Sequence, residues 1–258
     1  MSDNAKTVFI SGAAQRIGRA IAFDLARHGW KVVVHYNRSK DAAQTVVDEI
    51  NESAGAASPV AFCVGGDLRD ESQTATLISK ACDLAGQIDC VINNASAFEP
   101  DDIISGTRDS WDLHLEVNLR APTVLIRDFV NQLPDGADGN VINIIDQRVW
   151  RLTPKFMSYT VSKSALWTLT QTLAQALAPS IRVNAIGPGP TLQNKRQSEE
   201  GFEKQASLVP LQRQTELAEI CDGVRYILSA RAMTGQMIAL DGGQHLAWET
   251  PDVTQAGE

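Results

Sequence analysis

Segments typical of strands and of helices alternate along almost the whole chain. Short apolar runs of strand type lie at residues 7–11, 31–36, 59–64, 89–93, 140–145, 181–186 and 236–240. Apolar residues at helical spacing lie between them, at residues 16–28, 40–53, 71–85, 109–132, 158–178 and 216–230. Right-handed crossovers between such strands place helices on both faces of one parallel sheet. The pattern predicts an α/β fold, a Rossmann-like doubly wound parallel sheet of about seven strands.

Composition and charge limit the classes of protein to which the chain can belong. With 258 residues, 43% of them hydrophobic, it can bury one sizeable core, so we expect a single domain over residues 1–258. A formal net charge of -8 argues against a nucleic-acid or anionic-membrane partner, which would repel the chain. No apolar run approaches the roughly 20 residues that span a bilayer. We therefore expect a cytoplasmic protein without nucleic-acid or membrane partners.

Cysteine and histidine usage gives no sign of a metal centre or a disulfide framework. The 4 cysteines show no CxxC spacing, and the 4 histidines are scattered. We therefore expect free thiols and no metal site.

One long interruption breaks the alternation, at residues 187–215. A segment of that length inside a compact domain is usually a functional lid. Its charged middle, QNKRQSEEGFEK, is compatible with a short helix. We expect residues 187–215 to form a lid over the substrate.

The first strand leads into a glycine turn, SGAAQRIG, at residues 11–18, and a helix follows. Gly12 can adopt the unusual backbone angles of such a turn, and Gly18 permits close packing of the helix on the strand. The amides at the start of that helix are suited to a dinucleotide phosphate. Arg16 is a long cation inside this turn, and we expect it to reach the cofactor phosphates.

The end of the second strand favours NADPH over NADH. It reads HYNRS, without the carboxylate that would accept hydrogen bonds from the ribose hydroxyls of NAD. Arg38, Ser39 and His35 are candidates to hold a 2′-phosphate, although an ordinary solvated turn has the same composition. Asp67, in GGDL after the third strand, is either a receptor for the adenine amino group or a helix N-cap.

The candidate catalytic residues lie in the second half of the chain. Tyr159 and Lys163 are one turn apart on a predicted helix, so their side chains project from one face. An ammonium beside a phenol favours phenolate and assists proton exchange near neutral pH, although a solvated helix face has the same spacing. Asp146 follows the apolar strand VINII at the edge where open α/β sheets bind ligands. It is either part of this site or a strand-end aspartate bonded to nearby amides.

The chain resembles the short-chain dehydrogenase/reductase family over nearly its whole length. The resemblance rests on SGAAQRIG, GGDL, NNAS, VNLRAP, YTVSK, VNAIGPGP and TGQMIALDGG, in the order and spacing of that family. It implies a nicotinamide cofactor and a catalytic set of Asn118, Tyr159 and Lys163. Lys163 would also hold the nicotinamide ribose, and Pro188 and Thr191 would frame the nicotinamide. The implied cofactor-binding residues are Gly12, Arg16, Ile17, Gly18, His35, Arg38, Ser39, Asp67, Leu68, Asn94, Ala95, Lys163, Pro188 and Thr191.

Several departures from the common family pattern resemble the pteridine reductases and dihydromonapterin reductases. Arg16 replaces the middle glycine of the turn, Asp146 replaces the usual catalytic serine, and Ser96 replaces the glycine of NNAG. Phe98 follows in NNASAF and can stack on a flat pterin ring. The resemblance therefore implies a pterin site formed by Arg16, Ser96, Phe98, Asp146 and Tyr159.

Further residues have less definite roles. Apolar residues that either line the substrate mouth or pack the lid are Trp150, Phe156, Leu192, Phe202 and Leu208. His245 and Trp248 lie near the C-terminus, which in this family approaches the active site or a neighbouring subunit. The resemblance also implies a homotetramer, paired through the Tyr159 helix and through a long helix whose apolar face contains Trp111, Leu115, Leu119, Leu125 and Ile126.

The sequence thus predicts an NADPH-dependent reductase of dihydropterins, with dihydrofolate as a further candidate substrate. A carboxylate at position 146 would oppose the negative charge that develops on oxygen in ketone reduction, whereas it can relay a proton to a ring nitrogen. Two alternatives stay open: a reductase of a 3-oxoacyl thioester or sugar carbonyl, and a non-catalytic NADP-binding sensor.

Overall fold

The computed structural model describes residues 5–194 and 196–247, and within them seven strands form one parallel sheet. The strands are β1 (Thr7–Ile10), β2 (Lys31–Tyr36), β3 (Ala61–Gly65), β4 (Cys90–Asn93), β5 (Gly139–Ile144), β6 (Ile181–Pro188) and β7 (Met237–Leu240). The helices are α1 (Arg16–Arg27), α2 (Lys40–Ala54), α3 (Glu71–Thr74), α4 (Leu77–Ala85), α5 (Arg108–Leu115), α6 (Ala121–Gln132), α7 (Met157–Ala176), α8 (Glu199–Ser207) and α9 (Leu217–Ser229). The predicted doubly wound fold is confirmed.

The strand order, β3-β2-β1-β4-β5-β6-β7, places β1 between β2 and β4. The chain therefore winds outward in both directions from β1, and a crevice opens at the carboxyl edge between β1 and β4. Every predicted site residue that follows a strand comes to this edge of the sheet.

Apolar residues cover both faces of the sheet. Helices α1, α2 and α9 pack on one face, and α4, α6 and α7 pack on the other. The strands are short Val and Ile runs because both of their faces are buried, as expected for a parallel sheet under two helical layers.

Two predicted helices differ from the observed ones. The helix expected at residues 71–85 is two helices, because a turn at residues 75–76 separates α3 from α4, and Asp70 caps the start of α3 by accepting the Ser72 amide. The helix expected at residues 109–132 contains a π-helical turn at Glu116–Arg120, between α5 and α6. Pro122 has no amide hydrogen and cannot donate to the Asn118 carbonyl, so a regular α-helical ladder cannot continue there.

None of the helices in the described ranges is long and apolar enough to cross a membrane. The cysteines at positions 63, 82, 90 and 221 are free thiols.

Gly18 has the tightest surroundings in the glycine turn, and this generates a stability prediction. A Cβ there would lie 2.5 Å from the Asn94 amide nitrogen and 2.7 Å from the Gly12 carbonyl oxygen. We expect Gly18→Ala to lower the free energy of unfolding by about 1–3 kcal/mol in urea titrations. Gly201→Ala, where the nearest atom would lie 3.1 Å away, is the matched control and should change it little. Equal effects of the two substitutions would contradict this role for Gly18.

Candidate active site

The glycine turn between β1 and α1 forms one side of the crevice. Gly12 has a φ of +64°, which favours glycine, and a Cβ there would meet Ala95 at 3.0 Å. Arg16 also has a positive φ, 55°, at the first residue of α1. The N-cap residue Gln15 makes no side-chain hydrogen bond to this helix end, so its first amides are left for another partner.

His35 lies in the cavity wall beside the glycine turn and binds the backbone through both ring nitrogens. Its Nδ1 accepts a hydrogen bond from the Gly12 amide at 3.1 Å, and its Nε2 lies 3.0 Å from the Gly66 carbonyl oxygen. Burial lowers the pKa of His35 to about 4, so the ring is neutral at pH 7 and carries its hydrogen on Nε2. Because both nitrogens are bonded to the backbone, His35 shapes the turn and does not have a donor left for a 2′-phosphate.

A cavity of about 380 Å³ extends from Gly12 past Arg38, Asp67 and Leu68. Arg38 therefore lies in the wall of this cavity, and its contact with the 2′-phosphate of a cofactor stays a prediction. Asp67 binds the neighbouring Arg69 side chain, which holds the pKa of the Asp67 carboxyl below its usual range. Asp67 is not a helix N-cap. Ser39 is the N-cap residue of α2 and is not part of the wall of this cavity.

A larger cavity of about 850 Å³ continues from the glycine turn to the candidate catalytic residues. Predicted residues in its wall are Gly12, Arg16, Ile17, Asn94, Ala95, Ser96, Phe98, Asp146, Tyr159, Lys163, Pro188 and Thr191. Gly18 lies behind this wall, where it permits the close packing described above. The structure therefore brings most of the predicted residues to one crevice, while the individual roles of these residues stay predictions.

Asn118 is fully buried in the π-helical turn, outside the cavity wall. Its amide oxygen accepts the Ala97 amide at 2.8 Å, and its amide nitrogen donates to the Ser162 hydroxyl at 3.0 Å. Ser96 donates to the same Asn118 oxygen at 3.3 Å. Asn118 therefore joins the segment after β4 to α7, the helix that contains Tyr159.

Tyr159, Asp146 and Lys163 meet at the centre of the cavity wall. The Tyr159 hydroxyl donates to Asp146 Oδ2 at 2.8 Å, and Asp146 Oδ1 accepts the Arg148 amide at 2.8 Å. Lys163 Nζ donates to the Ile144 carbonyl at 2.8 Å and lies 5.9 Å from the centre of the Tyr159 ring. Asp146 thus has both of the functions that the sequence left open, because one oxygen caps a backbone turn and the other binds the phenol.

The electrostatics of this group differ from the prediction. Burial raises the pKa of Asp146, and burial together with the negative charge and hydrogen bond of Asp146 raises the pKa of Tyr159 well above its usual value. Lys163 was expected to favour phenolate, but the phenol faces a carboxylate at hydrogen-bonding distance, so its proton is retained. Burial lowers the pKa of Lys163 to about 8.

An aromatic wall flanks the hydroxyl of Tyr159. The Phe98 ring packs edge-on against Tyr159, with centroids 4.6 Å apart, and stacks on Phe156 at 4.4 Å. Phe156 has a φ of +59°. The Asp101 carbonyl accepts the Phe156 amide at 2.7 Å, which secures this strained residue in front of α7.

A buried hydrogen-bond chain supports this wall from behind. The Glu99 amide donates to His114 Nε2 at 3.0 Å, and His114 Nδ1 lies 2.6 Å from the Ser158 hydroxyl. Ser158 donates in turn to the Asp101 carboxylate. Burial lowers the pKa of His114, so the neutral ring accepts at Nε2 and donates at Nδ1. The chain fixes the start of α7 against α5.

The 187–215 segment lies against the cavity and contains α8, the predicted short helix. Arg16 donates to the carbonyls of Leu192 and Gln193, at 3.0 and 2.8 Å. Arg196 donates to the Glu99 carboxylate at 2.6 Å and to the Phe98 carbonyl. These contacts hold the segment to both sides of the crevice, and its function as a lid stays a prediction.

The remaining predicted residues divide by position. Residues in the cavity wall are Phe156, Leu192 and Phe202, whereas Trp150 and Leu208 are exposed and lie outside it. His245 binds the buried Asp241 carboxylate through Nδ1 at 2.7 Å, so it contacts the end of β7 and not the catalytic group. Trp248 lies outside the described residues.

Sequence reasoning missed two arginines of the cavity wall, Arg148 and Arg196. Arg148 could have been found, because it follows Asp146 by two residues at the same sheet edge. Arg196 lies in a segment of generic composition, and nothing in its sequence context indicates a contact with Phe98 or Glu99.

The chain is similar to known proteins over most of its length. Residues 12–245 match the profile of the family described as enoyl-(acyl carrier protein) reductase. A short-chain type dehydrogenase/reductase from Picea abies is 28% identical over 250 residues, covering 93% of this chain and 92% of the relative. The 3-oxoacyl-acyl-carrier-protein reductase FabG of Staphylococcus epidermidis is 28% identical over 246 residues, 93% of this chain and 99% of that one. A crystal structure of FolM alternative dihydrofolate reductase 1 from Brucella suis, in complex with NADP, is 52% identical with a TM-score of 0.92, covering 98% of this chain and 99% of that chain.

Lys163 offers a titration that tests the electrostatics of the site. Its ammonium is present below a pH of about 8 and lost as the pH rises through that value, whereas exposed lysines keep theirs to about 10.4. A 13C NMR titration of the lysine Cε signals, assigned with Lys163→Arg, is expected to show one midpoint near pH 8. Asp146→Asn removes the negative charge that raises this pKa, so the midpoint should move lower. A midpoint shared with the exposed lysines would contradict the burial of the amine.

Proposed function

The chain belongs to the short-chain dehydrogenase/reductase family, and from that membership we propose that it is an NADPH-dependent reductase that converts a dihydropterin to a tetrahydropterin. The single observation that carries the proposal is the Asp146 carboxyl bonded to the Tyr159 hydroxyl at 2.8 Å, where the common family pattern has serine. The 52% identity to a FolM alternative dihydrofolate reductase supports the same substrate class.

The residues of the crevice fit a nicotinamide dinucleotide phosphate. At Gly12 and at Gly18 an added Cβ would lie within about 3.0 Å of other backbone atoms, so both positions of the turn require glycine. Arg38 in the wall of the smaller cavity would bind the 2′-phosphate, and no carboxylate follows β2 to repel it before Asp41. The uncapped amides of α1 would receive the pyrophosphate. NADPH supplies the hydride when it is bound there.

The aromatic wall and the carboxyl together suit a pterin. Phe98 lies in the cavity wall beside Tyr159, and an aromatic side chain at this position suits a flat bicycle. Reduction of a ring C=N bond adds hydride to carbon and a proton to nitrogen, and it leaves no oxyanion for a serine hydroxyl to stabilise. A carboxyl that holds and passes a proton is therefore better suited to this substrate than to a ketone.

Tyr159 and Asp146 would deliver that proton as a pair. The raised pKa of Tyr159 disfavours a free phenolate, so a proton that leaves the phenol is replaced from its neighbour. Asp146, whose pKa is raised by burial, can hold a proton nearer neutrality than an exposed carboxyl and pass it along the shared hydrogen bond. The Lys163 ammonium stabilises the transient negative charge on the pair, and Asn118 keeps α7 in register with the segment after β4.

We also propose that the protein acts in the cytoplasm as a homotetramer, as the family resemblance implies. Val161, two residues after Tyr159 and therefore on the opposite side of α7, is 42% exposed, which is compatible with a subunit contact along this helix.

Asp146→Ser separates the proposed activity from carbonyl reduction. We expect it to lower kcat/KM for a dihydropterin by about 100-fold or more, because the proton relay is lost, with little gain on a 3-oxoacyl thioester. Steady-state NADPH oxidation measures both activities, and a thermal melt verifies that the variant is folded. Unchanged pterin turnover together with efficient thioester reduction would favour the carbonyl reductase. Bound NADPH with no turnover of any pterin by the wild type would favour the sensor.

Arg38→Ala tests the choice of cofactor. Loss of the guanidinium should raise the KM for NADPH about tenfold or more while the KM for NADH stays within about twofold. Arg127→Ala, which removes an exposed arginine paired with Asp128, is the matched control and should change neither constant. Parallel changes for the two cofactors would contradict a 2′-phosphate contact at Arg38.

A further inference from the structure

A continuous row of side chains connects the candidate catalytic phenol to a cation. Phe98 contacts Tyr159, Phe156 stacks on Phe98 with 13° between the ring planes, and the Arg148 guanidinium lies over Phe156, 5.1 Å from its centroid. All four side chains contribute to the wall of the larger cavity. Along the wall, the Tyr159 hydroxyl is thus followed by two apolar rings and then by the positive charge of Arg148.

The other cations of this wall are already occupied. Arg196 forms an ion pair with Glu99 at 2.6 Å, Arg16 donates to the Leu192 and Gln193 carbonyls, and Lys163 donates to Ile144. These contacts use each charge to hold the protein's own segments. None of the three is therefore placed to bind an anionic group of a substrate at the outer end of the aromatic wall.

Arg148 differs from these cations. Its Nη1 donates to the Thr153 hydroxyl at 2.8 Å, and within residues 5–194 and 196–247 no carboxylate oxygen lies within 4.0 Å of its guanidinium. The side chain is half-buried, and the Phe156 ring lies against one side of the guanidinium. A planar, partly desolvated guanidinium with unused donors is a suitable receptor for a carboxylate.

We propose that Arg148 is the subsite for a carboxylate on the substrate's tail, which assigns the protein to pterins with an anionic aromatic tail, dihydrofolate being the available representative. The inference rests on the proposed function. The pterin lies beside Tyr159, the aminobenzoyl ring lies along the Phe156 side of the wall, and a glutamate carboxylate binds Arg148. A pterin with a short neutral side chain uses the first of these contacts only.

Arg148 also acts on Asp146, because its positive charge lowers the pKa of that carboxyl. A substitution could therefore change the rate through the proton relay as well as through substrate binding. The two effects differ in one respect: a change in the relay affects every pterin alike, whereas loss of an anion subsite affects only the substrate with the carboxylate.

The test compares Arg148→Gln with the wild type on dihydrofolate and on dihydromonapterin, whose side chain is neutral. We expect the KM for dihydrofolate to rise about tenfold relative to the KM for dihydromonapterin, and any change in kcat to be shared by the two substrates, because a change in the relay affects both alike. Arg148→Lys should recover part of the dihydrofolate affinity because it keeps the charge. Arg151→Gln is the matched control, since Arg151 is exposed, donates to the Gln244 carbonyl at 3.2 Å and lies outside the cavity wall.

Equal changes for the two substrates, or an unchanged KM for dihydrofolate, would overturn the subsite and leave the proposed function standing. If the wild type reduces dihydromonapterin and does not reduce dihydrofolate, the subsite is likewise overturned while the proposed function stands. Failure of the wild type to reduce either pterin would overturn the proposed function itself, and the subsite with it.

Discussion

The side-chain amide of Asn94 holds the two halves of the crevice together. It donates to the carbonyls of Ser11 and Gly12, at 2.9 and 3.1 Å, from the loop after the neighbouring strand β4. The glycine turn therefore has a fixed position relative to β4, and Gly18 must lack a side chain because Asn94 occupies that space. The segment after β4 then places Phe98 against Tyr159. The two hydrogen bonds of Asn94 in this way position the candidate cofactor crevice relative to the aromatic wall.

The catalytic group depends on a balance of buried charge. Tyr159 and Lys163 are buried and Asp146 is half-buried in the cavity wall, and burial disfavours the ionised form of each of them. Their proximity partly compensates, because Asp146 supports the ammonium of Lys163 while it opposes a phenolate at Tyr159. The result is a site whose protons are shared between neighbours, which suits transfer to a nitrogen base.

Patterns local in sequence predicted most of the fold and identified candidate catalytic residues that lie in one crevice, and contacts distant in sequence account for what was missed. The strands were predictable because parallel strands are apolar on both faces, and Asp146 because it directly follows one of them. The contacts of His35 could not be predicted, since its ring nitrogens bind Gly12 and Gly66, which the sequence does not bring together. The raised pKa of Tyr159 depends on burial and on a 2.8 Å contact with Asp146, and no spacing rule predicts that contact. The contact of Arg196 with Phe98 joins residues on separate segments of the chain.

The π-helical turn at Glu116–Arg120 has a consequence for how this helix can vary. Such a turn is equivalent to one residue added to a regular helix, and each residue rotates a helix by about 100°. Without it, either the apolar face of α6 would turn away from the sheet or Asn118 would turn away from α7. A straight helix therefore cannot serve the core and the active site together, and a single-residue deletion in this turn would force the protein to lose one of them.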